Sequence, residues 1–208
     1  MDNILISNYI NYINSLSPHI IPCIGVNVQD IRSDVINDIQ FEIKDLEQTI
    51  QQPIGMGIAI YDNPHSKIMA FIDYESFITL VDPTRDHPLT KGLKKCDFIV
   101  YDMENYSVFL LNELSNSSNP SNKRPDAKLQ LHSAALHLSR CPETKIFIDQ
   151  FQEKKCVFSN KIQPISSPHG IADAFNIPMN YLSSSIPLKF QPLTKLGFQA
   201  METSNITL

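Results

Sequence analysis

Two apolar runs near the middle of the chain, KKCDFIVYD and YSVFLLNELS, constrain the fold more than any other part of the sequence. Both are rich in β-branched and aromatic residues, and a short polar stretch around Asn105 separates them, which predicts an antiparallel β-hairpin. The second run is apolar on both faces, with Phe109 and Leu111 on one and Val108 and Leu110 on the other. Such a strand is covered on both sides, so we expect it in the centre of a sheet.

The same hairpin brings two acidic residues together. If its turn is centred on Asn105, Asp97 lies opposite Glu113, with Cβ atoms roughly 4.5–5.5 Å apart. Like charges directly opposite each other destabilise a sheet unless a divalent cation or a nearby lysine offsets them. A slip of one residue would move the two side chains to opposite faces, so this prediction depends on the register.

Bulk composition excludes several classes of protein. The chain has 208 residues, 42% of them hydrophobic, which is enough for one sizeable core. Its net charge of −5 argues against binding nucleic acid through a broad basic surface, although a metal or a basic partner could mediate such contact. The four cysteines are widely spaced and match neither a zinc site nor a secreted disulfide framework.

The N-terminal stretch, MDNILISNYINYINSL, begins with an acid and lacks the basic region of a signal peptide. No uncharged run approaches the roughly 20 residues that a membrane helix requires. We therefore expect a cytoplasmic protein without membrane contact.

Hydrophobic periodicity predicts the other elements. The strongest helical stripe, formed by Val35, Ile39, Ile43, Leu46 and Ile50, predicts a helix over residues 33–51. Further helices are predicted over residues 1–17 and 127–139, and strands over residues 54–62, 67–81, 146–151 and 155–159.

The composition changes near residue 163, where prolines begin to recur in a stretch rich in serine and apolar residues. We predict a single α/β core domain over residues 1–162, with a central mixed sheet flanked by helices and an N-terminal helix. Residues 163–208 are predicted to form an extended arm. Such an arm would lie along the body of the protein, along a protein partner, or along a second copy of the chain.

This order of elements resembles the PD-(D/E)XK nuclease-like superfamily. Its pattern is an Asp that starts one strand, an acid-x-Lys on the next strand, and then a helix packed on the sheet. The matching pieces are Asp97, the tripeptide Glu113-Leu114-Ser115, and the helix KLQLHSAALHLSR. The resemblance covers about residues 33–162 and implies a restriction-endonuclease-like fold.

The resemblance also implies a function. Asp97 and Glu113 would hold magnesium or manganese, which activates water for hydrolysis of DNA or RNA phosphodiesters. Small divergent members of the superfamily occur in prokaryotic defence systems. Gln130 resembles a helix glutamine of some branches and is implied as an accessory residue. Independently of the resemblance, Glu42 and Glu47 border the apolar stripe of the helix predicted over residues 33–51, and one of them, such as Glu47, would reach a site at the edge of the sheet.

The chain departs from the superfamily pattern at Ser115, which stands where the lysine belongs and cannot supply a positive charge. Lys128 heads the apolar stripe of the following helix, and its long side chain could extend to the strand end.

Three hypotheses follow from this departure. The protein is a divergent metal-dependent nuclease, or an inactive nuclease-fold subunit that binds another protein. In the third, it is an unrelated α/β domain in which Asp97 and Glu113 are ordinary polar strand ends.

Overall fold

The computed structural model describes residues 1–16, 26–44, 49–82, 94–117, 120–160 and 186–208. Its strands are β1 Ser33–Ile36, β2 Gln40–Ile43, β3 Gln51–Gln52, β4 Ala59–Asp62, β5 Met69–Asp73, β6 Phe98–Asp102, β7 Val108–Ser115, β8 Glu153–Asn160, β9 Ile186–Pro187, β10 Gln199–Glu202 and β11 Asn205–Thr207. Its helices are α1 Asp2–Ile4, α2 Ile10–Ser15, α3 Tyr74–Val81, α4 Pro120–Arg140, α5 Pro142–Ile148 and α6 Gln191–Lys195. A π-helical segment, Leu5–Tyr9, joins α1 to α2, and Val28–Asp30 form a 3₁₀ turn. None of the helices in these ranges combines the length and apolar character needed to cross a membrane.

The strands form two sheets. The larger has the order β1-β5-β6-β7-β8-β10-β9, and the smaller has the order β11-β4-β2-β3. In the larger sheet, β1, β5, β6 and β7 are successively antiparallel, whereas β7, β8 and β10 are parallel. The predicted mixed α/β class is therefore confirmed.

The predicted hairpin is formed by β6 and β7, in the predicted register. Phe98 lies opposite Asn112 and Tyr101 lies opposite Phe109, so the pairing is centred on Asn105. The first seven residues of β7 are buried, as expected for a central strand.

Two apolar cores lie on opposite faces of the larger sheet. Phe109 and Leu111 of β7 face the helices and pack with Leu131 and Leu138 of α4. On the other face, residues of β6, β7 and β8 pack against the smaller sheet, through side chains that include Val100, Leu110, Val157, Phe41, Tyr61 and Ile206. The fold is thus a layer of helices, a large sheet and a small sheet.

Residues 186–208, the described half of the predicted arm, contribute strands to both sheets. β10 pairs with β8 in the larger sheet, and β11 pairs with β4 in the smaller one. Leu193, Phe198 and Ile206 are buried in the two cores. This stretch is therefore part of the folded body, while residues 163–185 of the predicted arm lie outside the described residues.

The helix predicted over residues 33–51 is wrong. β1 and β2 occupy its first half instead, paired antiparallel with β5 and β4. Val35 and Ile39 of the predicted stripe are exposed, whereas Ile43 is buried. The segment is rich in β-branched residues, and pairing with strands distant in sequence overrides its helical spacing.

Two strand predictions also need correction. The run over residues 67–81 is a strand only as far as Asp73, whose side chain accepts a hydrogen bond from the Ser76 N–H at 2.8 Å and caps α3. The strand predicted over residues 146–151 overlaps α5, which begins with Pro142 in its first turn. The N-terminal helix, the helix over residues 127–139 and the strand over residues 155–159 are confirmed.

Candidate functional site

A cleft of about 460 Å³ opens at the end of β7, where α3 and α4 approach the sheet. Glu113, Leu114 and Ser115 of β7 line it, together with Gln130 of α4. Its other charged side chains are Glu75, Lys94, Lys95, Lys123 and Asp126. Three lysines and three acids therefore share one concave surface, so the positive and negative charges balance.

Glu113 supplies the most deeply placed acid of this cleft. It lies in β7 two residues after Leu111, on the sheet face that packs against the helices, and it is 7% exposed. Because side chains alternate along a strand, the face that buries Leu111 also directs Glu113 towards α4. A carboxylate in such a site interacts strongly with any neighbouring cation, since water screens it little.

Asp97 immediately precedes β6 and is 6% exposed. Its Oδ2 accepts a hydrogen bond from the Leu114 N–H at 2.5 Å. The backbone departs from the regular ladder here, since the Asp97 N–H donates to the Asn112 carbonyl at 3.1 Å. Asp97 is thus held against the β7 backbone beside Glu113, and it is not among the described residues that line the cleft.

The thiol of Cys96 lies close to both acids. Burial raises its pKa well above the ordinary value, and the negative charges of Glu113 and then Asp97 raise it further. The charges of both carboxylates therefore influence the same buried thiol. A thiol with a raised pKa is a poor nucleophile at neutral pH, so Cys96 has a structural role.

Lys95 brings a buried cation to the cleft. It is 7% exposed, and its Nζ donates a hydrogen bond to Thr79 Oγ1 at 2.8 Å. The same ammonium lies 3.7 Å from Glu75 Oε1. Gln130 Nε2 donates to the Lys95 carbonyl at 3.1 Å, so α3 and α4 both position this residue.

Lys128, the predicted substitute for the missing lysine, contacts a different group. Its Nζ lies 5.9 Å from the centre of the Phe190 ring, a cation–π distance, and it is not among the residues lining the cleft. Ser115 and Gln130, two other predicted site residues, do line the cleft, whereas Glu47 lies outside the described residues.

The rim of the cleft is formed by exposed charges. Lys94 Nζ lies 2.7 Å from Asp126 Oδ1, and both side chains are mostly in solvent. This hydrogen bond, with the positive charge of Lys94, lowers the pKa of Asp126. Such exposed pairs contribute little to stability, so the rim can rearrange around a ligand.

Among the described residues, no group of three or more His, Cys, Asp or Glu side chains is arranged to hold a metal ion. Magnesium does not require such a group, since it is commonly bound by one or two carboxylates together with water and substrate phosphate. Glu113 lines the cleft, and Asp97 is held against the adjoining backbone at Leu114, so these are the two buried carboxylates at this strand end.

Sequence reasoning missed Lys95, Glu75 and Thr79. The signal for Lys95 was present in the string KKCD, because a lysine two residues before Asp97 would share its face in an extended chain. Glu75 and Thr79 could not be found from the pattern, because residues 67–81 were interpreted as one strand and half of them form α3.

Comparison with known proteins identifies no relative. No protein-family model, curated protein or solved structure matches this chain.

Proposed function

We propose that this protein is a divergent metal-dependent phosphodiesterase with a restriction-endonuclease-like fold, acting on DNA or RNA. The observation that carries the proposal is the β6–β7 hairpin, whose register brings Asp97 and Glu113 to the same strand end, beside a cleft. The helix α4 follows, packs on the sheet, and leads to β8 parallel to β7. The order of two strands followed by a helix packed on the sheet supports the resemblance to the PD-(D/E)XK superfamily.

The residues of the cleft fit the chemistry of phosphodiester hydrolysis. In this reaction a water oxygen bonds to phosphorus while one ester P–O bond breaks, the water loses a proton, and the leaving oxygen gains one. Magnesium bound by Asp97 and Glu113 would supply positive charge to the phosphate and lower the pKa of the attacking water. Leu114 N–H orients Asp97, and Gln130 helps to hold the strand end against α4.

The test is a cleavage assay with the purified full chain, using labelled single- and double-stranded DNA and RNA with magnesium or manganese. We expect Glu113→Gln to lower the cleavage rate about 100-fold or more. The carboxylate would help to hold the metal ion, whose charge lowers the free energy of the transition state by several kcal/mol. Asp126→Asn is the matched control, because this acid lies on the exposed rim of the same cleft. The proposal fails if no substrate is cleaved with either metal and Asp97→Asn leaves magnesium affinity unchanged.

A second candidate is an inactive nuclease-fold subunit that binds another protein or a second copy of the chain. It is favoured by Ser115, and by Asp97 being bound to the Leu114 N–H instead of lining the cleft. The same assay separates the two functions. The inactive subunit is supported if the folded wild type cleaves none of these substrates and Glu113→Gln gives the same result in the assay.

A further inference from the structure

The strand end that carries Asp97 and Glu113 requires a compensating positive charge. Both residues are buried, at 6% and 7% exposure, and both charges act on Cys96. Two carboxylates that lie close together in a poorly hydrated site repel each other, and a nearby cation offsets this repulsion. Ser115, in the position of the superfamily lysine, contributes only a hydroxyl.

Lys95 is a buried cation that lines the cleft at this strand end. Within the described ranges it is the only lysine classed as buried, whereas Lys94 and Lys123 are exposed at the rim of the same cleft. Burying an ammonium carries a large desolvation penalty, which only charged or hydrogen-bonding partners offset. Lys95 lines the same cleft as the buried carboxylate Glu113, so this buried ammonium is a functional candidate.

The hairpin relates Lys95 to Ser115. The regular pairing of the two strands ends at Phe98 opposite Asn112, and Lys95 and Ser115 each lie three residues beyond that last pair. The ladder becomes irregular at Asp97, yet Lys95 and Ser115 both line the cleft. The lysine and the serine thus lie at the same end of the hairpin and line the same cleft.

We propose that Lys95 supplies, from the segment that precedes β6, the ammonium that the acid-x-Lys pattern carries on the second strand. It would contact an anionic oxygen of the substrate phosphate in the cleft. This inference rests on the proposed function. It assigns the cation of the site to a residue that precedes the first acid, instead of one that follows the second.

Its neighbours hold the ammonium at the cleft. Thr79 Oγ1 donates to the Glu75 carbonyl at 3.0 Å, which leaves its lone pairs directed to accept from Lys95 Nζ at 2.8 Å. The carboxylate of Glu75 is 3.7 Å away and partly exposed, so it is a loose partner. An incoming phosphate oxygen can therefore compete with Glu75 for the ammonium.

The test exchanges the two residues. Lys95→Ser, Ser115→Lys and the double variant are compared with the wild type, and Lys94→Ser serves as the matched control. Cleavage is measured in magnesium, and binding of a labelled oligonucleotide is measured in calcium as a second readout. We expect Lys95→Ser to slow cleavage about 100-fold, a typical loss when one charge-stabilising donor is removed. Its oligonucleotide affinity should fall several-fold, more than that of Lys94→Ser.

The double variant is the decisive sample. If the role of Lys95 is to provide charge in the cleft, Ser115→Lys should restore most of the cleavage and binding lost in Lys95→Ser. If Lys95 only holds α3 in place through Thr79, a lysine on β7 will restore neither. Lys95→Met, which keeps the aliphatic stem, replaces Lys95→Ser if that variant fails to fold.

The outcomes separate this inference from the proposed function. If the wild type cleaves and Lys95→Ser behaves like Lys94→Ser, the inference is overturned while the function stands. If nothing is cleaved but Lys95→Ser alone loses oligonucleotide binding, the function fails and the phosphate contact of Lys95 stands. If the wild type neither cleaves nor binds, both are overturned.

Discussion

Individual buried acids in this protein are stabilised by backbone N–H groups. The carboxylate of Asp102 accepts hydrogen bonds from the N–H groups of Glu104, Asn105 and Ser107 and from the Ser107 hydroxyl. These bonds close the hairpin turn, and the turn fixes the register of β6 and β7. The position of Asp97 beside Glu113 therefore depends on a residue at the far end of the same hairpin.

The first prediction concerns the pH dependence of this turn. Burial acts to raise the pKa of Asp102, but the hydrogen bonds from Ser107, Glu104 and Asn105 outweigh it and lower the pKa below 3.8. Because the folded-state pKa is the lower one, the stabilisation is present at neutral pH and is lost as the pH falls below about 3.8. We expect Asp102→Asn to lower the free energy of unfolding by about 1–3 kcal/mol at pH 7.

Urea unfolding of the wild type and Asp102→Asn, measured from pH 7 to pH 2.5, would check this prediction. The difference between their free energies of unfolding should shrink at the acidic end. Glu104→Gln, a change at an exposed residue of the same turn, is the control. A difference that is the same at every pH would contradict the assignment.

The second prediction concerns the tripeptide Gly55-Met56-Gly57. Glu42 accepts hydrogen bonds from the N–H groups of Gly55 and Gly57, at 2.7 and 2.6 Å. A Cβ on Gly57 would lie 2.4 Å from the Cβ of Glu42, so Gly57→Ala should cost about 1–3 kcal/mol of unfolding free energy through overpacking. Met56→Ala, at an exposed position, should change it by less than about 0.5 kcal/mol. Equal stability of the two variants in urea would show that this turn is not closely packed.

At the scale of the elements, a buried polar network joins the two sheets. The Tyr61 hydroxyl of β4 donates to Asn112 Oδ1 of β7 at 2.8 Å. Asn112 Nδ2 donates in turn to the Val157 carbonyl and to Ser159 Oγ of β8, each at 3.0 Å. Asn112 directly precedes Glu113, so the network anchors the strand end that forms the cleft.

The third prediction tests this anchor. Tyr61→Phe leaves the buried Asn112 Oδ1 without its donor, which should cost about 1–3 kcal/mol of unfolding free energy. Tyr106→Phe is a matched control at a partly exposed position and should change stability by less than about 0.5 kcal/mol. Thermal and urea unfolding of both variants would check the prediction, which fails if the two losses are equal.

At the scale of the whole molecule, the C-terminal residues hold the two sheets together. β10 extends the larger sheet beyond β8, and β11 lies at the edge of the smaller sheet next to β4. Arg124 of α4 adds a bidentate ion pair to Glu202 of β10, with N···O distances of 2.6 and 3.1 Å. The ion pair therefore connects α4, the helix beside the cleft, to β10, which ends only a few residues before β11.

The fourth prediction follows from this arrangement. Deleting residues 186–208 removes the buried side chains of Leu193, Phe198 and Ile206 and uncovers the edge of β8. Each of these side chains contributes about 2–5 kcal/mol, so the loss would exceed the usual stability of a domain. We expect the shortened chain to lose cooperative urea unfolding, whereas Lys189→Ala in the full chain retains it. A separable arm would instead leave the unfolding curve unchanged.

The features of this fold that depend on neighbouring residues can be predicted from the amino-acid pattern alone. Alternating apolar side chains around a short polar turn predicted the β6–β7 hairpin, its register and its central place in the sheet. The 3.6-residue periodicity of residues 127–139 predicted the core of α4. These elements are local, so their pattern carries enough information to define them.

The remaining features depend on contacts between segments that are distant in the chain. Residues 33–43 have helical spacing, yet they form strands because β5 and β4 provide hydrogen-bonding partners that the local pattern does not reveal. β10 reaches its neighbour β8 across about 40 residues of chain, so nothing near residue 200 signals the pairing. Lys95 enters the cleft because α3 places Thr79 and Glu75 beside it, and α3 itself was not predicted. Two acids could be proposed from sequence, but the position of Lys95 in the cleft depends on contacts between distant segments.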